Sequence, residues 1–390
     1  MHKPVIGWDV GGAHLKAALL DENGRVQQVL QVPCALWRGL NELEAAIDVV
    51  LNAFNAQSAL HAITMTGELV DLFQSRKEGV LAICQVMEAK LNGSKLFYAG
   101  ALNADLSAFV PLQDVAQQWP HIASANWLAS ASFAGKQLNR RSQLSALKPI
   151  QHGLLIDIGS TTADFVLLKN NQATCIGFTD AARMQSEELV YMGVVRTPLM
   201  AVAQKIQFQN TQTSTAAEYF ATTADVYRLT GDLLAEDDMA DTADGKEKTP
   251  VASARRIARM IGHDVEDADM SAWLALANEF KLQQLTRLKQ VAQRHLARLN
   301  SNNVSPDSIC VVGAGAGAFL AKEIAQQLQV QYVDIAQLIE INMDNSYENT
   351  ASGFPERPDV SELKDFSETS RLARVCLPAY AVAYLAFHQI

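Results

Sequence analysis

A short polar turn set between two apolar runs occurs twice in this chain, and it limits the fold more than any other feature. The first copy is Val5 to Leu20 (VIGWDVGGAHLKAALL) and the second is Leu154 to Leu168 (LLIDIGSTTADFVLL). In each, apolar residues run into an aspartate, a glycine-containing turn follows, and a second apolar run leaves, which is the pattern of a buried strand, a tight turn and a second strand. Asp9-Val10-Gly11-Gly12 lines up with Asp157-Ile158-Gly159-Ser160, and Lys16 falls where Asp164 falls. A single D-x-G turn is usually just a hairpin, whereas two in matching register point to a shared purpose. The side chains suit a phosphate cradle. Gly159 lets backbone approach a ligand, Ser160, Thr161 and Thr162 offer hydroxyls and N–H donors, and Asp157 and Asp164 can hold a divalent cation.

A third element strengthens the pattern. Ile309 to Ala321 (ICVVGAGAGAFLA) reads as a β-branched strand, a glycine turn at Gly313, Gly315 and Gly317, and a small-residue helix start. Such a turn can receive a nucleotide or another anion, and its glycines can equally serve close strand–helix packing. At 390 residues the chain holds two lobes with full cores. A net charge of −10 argues against nucleic acid as a partner, since backbone phosphates demand a cationic surface. It leaves room for a small phosphorylated ligand held by a local Lys, Arg or metal site. The five cysteines, Cys34, Cys84, Cys175, Cys310 and Cys376, are scattered and form no C-x-x-C pair, so packed thiols in a reducing cytoplasm are expected. Strand-forming residues begin almost at once, so no signal peptide is expected, and no apolar run reaches the ~18 residues of a membrane span. The oligomeric state stays open, a homo-oligomer included.

Along the chain, residues 4–32 read as three strands with a hairpin signal at Asn23-Gly24, and 39–56 as a crossover helix feeding a parallel strand at 62–65. Thr66, Gly67 and Glu68 then sit beyond the carboxyl end of a strand, where ligands collect in open α/β sheets. Glu68 can serve there as a general base or cation ligand, with Asp71 and Arg76 on the helix that follows. It can equally open that helix at the positive end of the dipole. Residues 95–99 read as a strand and 124–136 as a helix that carries Asn126 and Trp127. The second lobe begins near Gly153, with a strand at 172–178 and Arg183 in the loop after it. Arg196, ahead of Pro198, can hold two oxygens of a diphosphate or make a surface salt bridge. Asp237 to Pro250 (DDMADTADGKEKTP) reads as a mobile loop or lid, and Arg255, Arg256 and Arg259 as a basic patch on the next helix. Residues 270–300 read as a long helix, 343–366 as a surface connection, and 373–387 as one apolar helix.

The succession D-x-G-G-x-x-x-K, D-x-G-S-T-T-x-D and V-V-G-A-G-A-G resembles the two phosphate segments and the adenosine segment of the actin, Hsp70 and sugar-kinase superfamily. The resemblance implies an α/β protein of two ribonuclease-H-like lobes with a cleft that closes on a phosphorylated ligand. It implies a first lobe of residues 1–150, onto which 373–390 packs back, and a second of 151–372. A nearer resemblance rests on Thr64 to Asp71 (TMTGELVD) with Phe73, Arg76 and Glu78-Gly79-Val80, on Ala125-Asn126-Trp127, on Tyr191 to Pro198 (YMGVVRTP) and on Ala224 to Gly231 (ADVYRLTG). These are similar to the hydantoinase/oxoprolinase family, in its branch linked to tetrahydromethanopterin-dependent C1 transfer.

Characterised members of that branch act in methanofuran biosynthesis, joining a furanmethyl diphosphate to the phenol oxygen of γ-glutamyltyramine with release of pyrophosphate. The resemblance therefore implies a transferase acting on those two small molecules. Gly11-Gly12 and Ser160-Thr161-Thr162 would cradle the diphosphate, Lys16 and Arg196 would neutralise it, and Asp9, Asp157 and Asp164 would hold Mg²⁺. Glu68 would take the phenol proton. A rival expectation keeps the cradle and fills it with ATP, making the chain a small-molecule kinase or an ATP-dependent amidohydrolase. Gly313 to Gly317 would then lie against adenosine, and Glu68 or Asp164 would activate a nucleophile. A third expectation is a nucleotide-dependent sensor that binds without turnover.

Overall fold

The computed structural model describes residues 3–56, 58–100, 108–144, 150–299, 304–340 and 360–389. The chain forms two compact units, residues 1–138 with 335–390, and residues 139–334.

The first unit is built on strands β1 (Val5–Val10), β2 (His14–Leu20) and β3 (Val26–Pro33), helix α1 (Leu40–Phe54), β4 (Leu60–Met65), α2 (Arg76–Lys90), β5 (Lys95–Tyr98), β6 (Phe109–Val110) and α3 (Leu112–Ile122), with α4 (Asn126–Leu144) beginning in it. Its sheet runs β3-β2-β1-β4-β5-β6. β1, β2 and β3 are antiparallel neighbours, whereas β1, β4 and β5 run parallel. Every residue of β1 is buried, because the strand is covered on both faces. Ile6, Trp8 and Val10 join the apolar stripe of α1 (Leu43, Ala46, Ile47, Val50 and Phe54) in one core. The alternate residues, Gly7 and Asp9, point to the opposite face.

The second unit has β7 (His152–Ile158), β8 (Ala163–Lys169), β9 (Gln172–Thr174), α5 (Asp180–Ser186), β10 (Leu189–Val190), α6 (Leu199–Val202), β11 (Lys205–Phe208), β12 (Thr211–Ser214), α7 (Thr223–Thr230), α8 (Pro250–Arg259), α9 (Met270–Ala297), β13 (Ile309–Ala314), α10 (Ala318–Leu328) and β14 (Gln331–Asp334). Its sheet repeats the plan of the first, β10-β8-β7-β13-β14, with the β7–β8 hairpin antiparallel and β7, β13 and β14 parallel. A hairpin continued by parallel strands is the ribonuclease-H-like plan. Its presence in both units makes this the actin, Hsp70 and sugar-kinase type of α/β fold.

The last part of the chain returns to the first unit as α11 (Val360–Val375) and α12 (Leu377–Phe387). A side-chain carbon at Gly7 would collide with the carbonyl oxygen of Ala379, so glycine is what lets α12 lie directly on β1. The single helix expected at 373–387 is instead two. α11 ends at Val375, and Pro378, which lacks an N–H, sits in the first turn of α12 where none is required. The connection expected at 343–366 falls in part outside the described residues, and from Val360 onward it is helix. The strand expected at 172–178 stops at Thr174, because Ile176 and Gly177 turn their N–H groups to the Glu188 carboxylate rather than to a neighbouring strand. Among the described residues no helix is long and apolar enough to cross a membrane. Cys34, Cys84, Cys310 and Cys376 are buried, Cys175 is half-buried, and none of the five is in a disulfide among the described residues.

Candidate functional site

In the first unit, β1 and β2 pair so that Asp9 lies opposite Lys16, and the Gly11 N–H closes the turn on the His14 carbonyl at 3.0 Å. Behind it, the N–H groups of Leu36 and Cys34 donate to the carbonyls of Gly12 (3.1 Å) and Ala13 (2.9 Å). These bonds tie the carbonyls of Gly12, Ala13 and His14. The N–H groups of Gly12 and Ala13 meet no acceptor among the described residues, as an anion-binding turn requires. Asp9 is buried beside Lys16 on β2 and Thr64 on β4, and neither Asp9 Oδ1 nor Thr64 Oγ1 has a partner among the described residues. Burial raises the Asp9 carboxyl above the usual range, with the Lys16 charge opposing it. The Lys16 ammonium itself donates to the carbonyl of Val375, at the end of α11, at 3.2 Å.

Glu68 lies next to this turn. It sits in a short 3-10 turn, Gly67–Leu69, that follows β4, and a side-chain carbon at Gly67 would lie 3.1 Å from the Val10 carbonyl and 3.3 Å from that of Gly11. Glu68 is 1% exposed. Its Oε1 accepts from the Ser124 hydroxyl at 2.7 Å and from Arg76 at 3.3 Å, and Arg76 also donates to Ser124 at 3.0 Å. Its Oε2 is buried with no partner among the described residues. Burial pushes the Glu68 carboxyl above its ordinary range, while Ser124 and Arg76 pull it back. α2 comes this close because Gly79 rests on the Glu68 backbone, where a side-chain carbon would lie 2.8 Å from the Glu68 carbonyl. Trp127, in the first turn of α4, is buried.

In the second unit the turn is closed by the same bond, Gly159 N–H to the Thr162 carbonyl at 2.8 Å, with Asp157 opposite Asp164. The strip after β10 then ties down every other carbonyl of the turn. Gly193 donates to Thr161 (3.0 Å), Val194 to Gly159 (3.0 Å), and Val195 and Arg196 to Ser160 (3.1 and 2.9 Å). The N–H and hydroxyl groups of Ser160, Thr161 and Thr162 have no partner among the described residues. With its carbonyls satisfied and the N–H groups of Ser160, Thr161 and Thr162 meeting no acceptor among the described residues, the turn is electrostatically suited to an anion. Arg196 is exposed at its edge, and its guanidinium has no partner among the described residues.

Three residues missed by sequence reasoning hold this strip. Gln284 on α9 donates to the carbonyls of Gly193 (3.0 Å) and Met192 (3.3 Å), the Tyr227 hydroxyl fixes Gln284 at 2.8 Å, and Thr223 at the start of α7 donates to Gly193 at 3.0 Å. Tyr227 lies in the ADVYRLTG segment already singled out. Nothing in the pattern of α9 distinguishes Gln284 beyond its being a polar residue on a buried stripe.

The remaining candidates sit as follows. Asp164 pairs with buried Arg183 at 2.9 Å, and burial raises its carboxyl while Arg183 opposes the rise. Asp157 is half-buried. Gly313, Gly315 and Gly317 are packing positions: side-chain carbons there would strike the Tyr332 ring, the Ile158 carbonyl and the Ile158 side chain. Gly317 also donates to the Ile158 carbonyl at 2.8 Å, which docks this loop on the strand entering the Gly159–Thr162 turn. No group of three or more His, Cys, Asp or Glu side chains that can hold a metal forms among the described residues. The donor set thus fits Mg²⁺ only as an ion carried largely by phosphate oxygens and water with one or two carboxylates.

The basic patch expected on α8 does not form as such. Arg256 is 1% exposed and donates to Asp225 (2.8 Å), Asp244 (3.0 Å) and the Glu247 carbonyl (3.2 Å), because its guanidinium supplies donors in several directions at once. Arg228 joins Asp225 and Asp238, each at 2.6 Å, and Lys248 reaches the Asp238 carbonyl at 2.5 Å. The polar segment 237–250 is thus fastened at Asp238 to the last turn of α7 and at Asp244 and Glu247 to α8, with Lys248 tied back to Asp238.

Comparison with known proteins places these features in a family. The hydantoinase/oxoprolinase pattern matches residues 60–342. The chain is 28% identical over 300 residues to the (4-{4-[2-(γ-L-glutamylamino)ethyl]phenoxymethyl}furan-2-yl)methanamine synthase of Methanocaldococcus jannaschii, covering 77% of this chain and 84% of that one. It is 33% identical over 127 residues to the synthase of the same name from Methanococcus vannielii, covering 33% of this chain and 57% of that one. Among solved structures it is similar to component A of the (R)-2-hydroxyglutaryl-CoA dehydratase of Acidaminococcus fermentans, with a TM-score of 0.41, 12% identity, and 99% and 98% of the two chains covered. The family match spans more than half of the chain and takes in Glu68, Ser124, the Ser160–Thr162 turn and Gln284: the chain belongs to the hydantoinase/oxoprolinase family.

Proposed function

We propose that this chain is an enzyme of methanofuran biosynthesis that forms an aryl ether between an aminomethyl-furanmethyl diphosphate and the phenol of γ-glutamyltyramine. The product named for its curated relatives contains that phenoxymethyl-furan linkage. In the reaction the furanmethyl carbon loses its bond to the diphosphate oxygen and gains one to the phenol oxygen. Pyrophosphate leaves with the bonding pair, and the phenol proton passes to a base. The furan ring stabilises positive charge at the methylene, so the protein's tasks are to hold the leaving group, orient the acceptor and exclude water.

The observation that carries this reading is the Ser160–Thr162 turn, whose carbonyls are all tied and whose N–H groups meet no acceptor among the described residues, with the Arg196 guanidinium exposed at its edge. Such a turn suits the growing charge on a diphosphate leaving group. Glu68 is the base in this proposal, accepting the phenol proton on Oε2. Its raised pKa narrows the gap to a phenol of pKa near ~10. Mg²⁺ would enter with the diphosphate and neutralise it, with Asp157 as a protein ligand, while Asp164 keeps Arg183 in place.

The test is product analysis with purified protein, Mg²⁺, the furanmethyl diphosphate and γ-glutamyltyramine, in the absence of ATP. Stoichiometric pyrophosphate and aryl ether support the proposal. ADP released from ATP in the presence of a small alcohol or amide, with no ether formed, overturns it in favour of a kinase or an ATP-dependent amidohydrolase.

A further inference from the structure

Ser124 belongs to neither phosphate turn, yet its geometry is the least ordinary near Glu68. It is a buried serine with φ +50°, a left-handed conformation that costs a non-glycine residue energy and persists where surrounding structure enforces it. The hydrogen-bond inventory fixes the direction of each contact. Arginine has donors only, so at 3.0 Å Ser124 Oγ must accept from Arg76, and its single hydroxyl hydrogen then goes to Glu68 Oε1 at 2.7 Å. Arg76 donates to the same Oε1 at 3.3 Å. Two donors thus converge on one carboxylate oxygen, and a proton arriving at Glu68 is directed to the other.

We infer that Ser124 is a positioning residue that binds Glu68 Oε1, locks the carboxylate in one orientation and reserves Oε2 as the atom that exchanges protons. The inference rests on the reading of Glu68 as the base and adds which oxygen acts and what selects it. The ionisable groups facing Glu68 are Arg76 and Cys84, both on α2. Arg76 favours the carboxylate, while burial and Glu68 itself keep the Cys84 thiol protonated. Ser124 supplies the neutral donor from the segment before α4. Loss of that donor removes a bond made to the charged form, so the Glu68 carboxyl rises further.

Ser124→Gly removes the hydroxyl while accepting the positive φ, so it separates the hydrogen bond from backbone strain, and Ser124→Ala reports both together. We expect Ser124→Gly to keep the wild-type melting temperature within a few degrees and to lower kcat/KM about tenfold, the loss of one charge-assisted bond. The acid limb of its pH profile should move to higher pH. The Glu68 carboxyl is also followed directly by ¹³C NMR titration, its resonance identified by its absence in Glu68→Gln. An upward shift of that titration in Ser124→Gly supports the positioning role whether or not the furanmethyl substrates turn over, which separates failure of this inference from failure of the proposed reaction. A Glu68 titration unchanged in Ser124→Gly, with Arg76 intact, overturns it.

Discussion

Gly193→Ala isolates the strip that ties down the Ser160–Thr162 turn. A side-chain carbon at Gly193 would lie 2.5 Å from the carbonyl carbon and oxygen of Ser160 and from the N of Thr161, all backbone atoms that cannot swing aside. To restore the 3.4 Å of ordinary contact, turn and strip must separate by about 0.9 Å. Hydrogen bonds now at 2.9 to 3.1 Å would then stretch beyond about 3.5 Å, past useful length. Overpacking of this kind costs about 1–3 kcal/mol, which for a unit of this size is a fall of roughly 2–12 °C in melting temperature. The larger effect falls on the ligand, since displacement of a positioning element by about 1 Å can cost about 100-fold. Gly262→Ala is the matched control. It places alanine at φ +75° with no atom within 4 Å of the new carbon, so it costs about 1–2 kcal/mol of backbone strain without touching the turn. The assay is calorimetric binding of pyrophosphate with Mg²⁺, beside thermal melting, for wild type and both variants. Gly193→Ala should lose about two orders of magnitude in affinity, and Gly262→Ala should bind normally at similar stability. Equal pyrophosphate affinity in the two variants would refute the claim that this strip shapes an anion site.

Other outcomes follow from the same geometry. Glu68→Gln should reduce ether formation at least 100-fold, the usual lower bound for losing a general base, and near-normal turnover would remove Glu68 from that role. It should also change the pH dependence of stability. The folded protein keeps the Glu68 proton to higher pH than the unfolded chain, so wild-type stability falls as pH rises from the ordinary glutamate value near ~4.3 towards the raised one. The melting temperature of Glu68→Gln relative to wild type should therefore climb through that window and then level off, and a pH-independent difference would contradict it. Arg196→Ala should weaken pyrophosphate binding by about tenfold, as befits one exposed charged contact, with the melting temperature unchanged; equal affinity would exclude the contact. Arg256→Ala leaves Asp225 and Asp244 without their shared partner and should destabilise the protein by about 3–5 kcal/mol, measured by urea denaturation.

The local chemistry of the turns was legible because it is written in contiguous residues. D-x-G, flanked by apolar runs, can do little else than join two buried strands, and the matching closing bonds at Gly11 and Gly159 follow from that spacing. What held the turns in place was not legible. Gln284 meets Gly193 across 91 residues of sequence, and a lone glutamine in a helical stripe carries no mark of such a partner. The charged residues were harder still, because a side chain's role depends on who reaches it first. Asp164 has its nearest cation in Arg183, Lys16 reaches a backbone carbonyl, and Arg256 is buried between Asp225 and Asp244, the latter in the segment that sequence alone read as a mobile loop or lid. The glycines of 313–317 show the same limit. Absence of a side chain reveals that something comes close, and only the fold says that it is Ile158 and Tyr332.

The return of α11 and α12 makes the first unit discontinuous in sequence. The second unit is continuous in sequence and can condense as soon as residues 139–334 have left the ribosome. The first is not continuous: α12 lies on β1 at Gly7, and Lys16 of β2 donates to a carbonyl 359 residues further along the chain. The sheet that carries the Gly11–Gly12 turn is therefore completed by a segment distant in sequence, whereas the Ser160–Thr162 turn and the strip that ties it belong to one uninterrupted stretch.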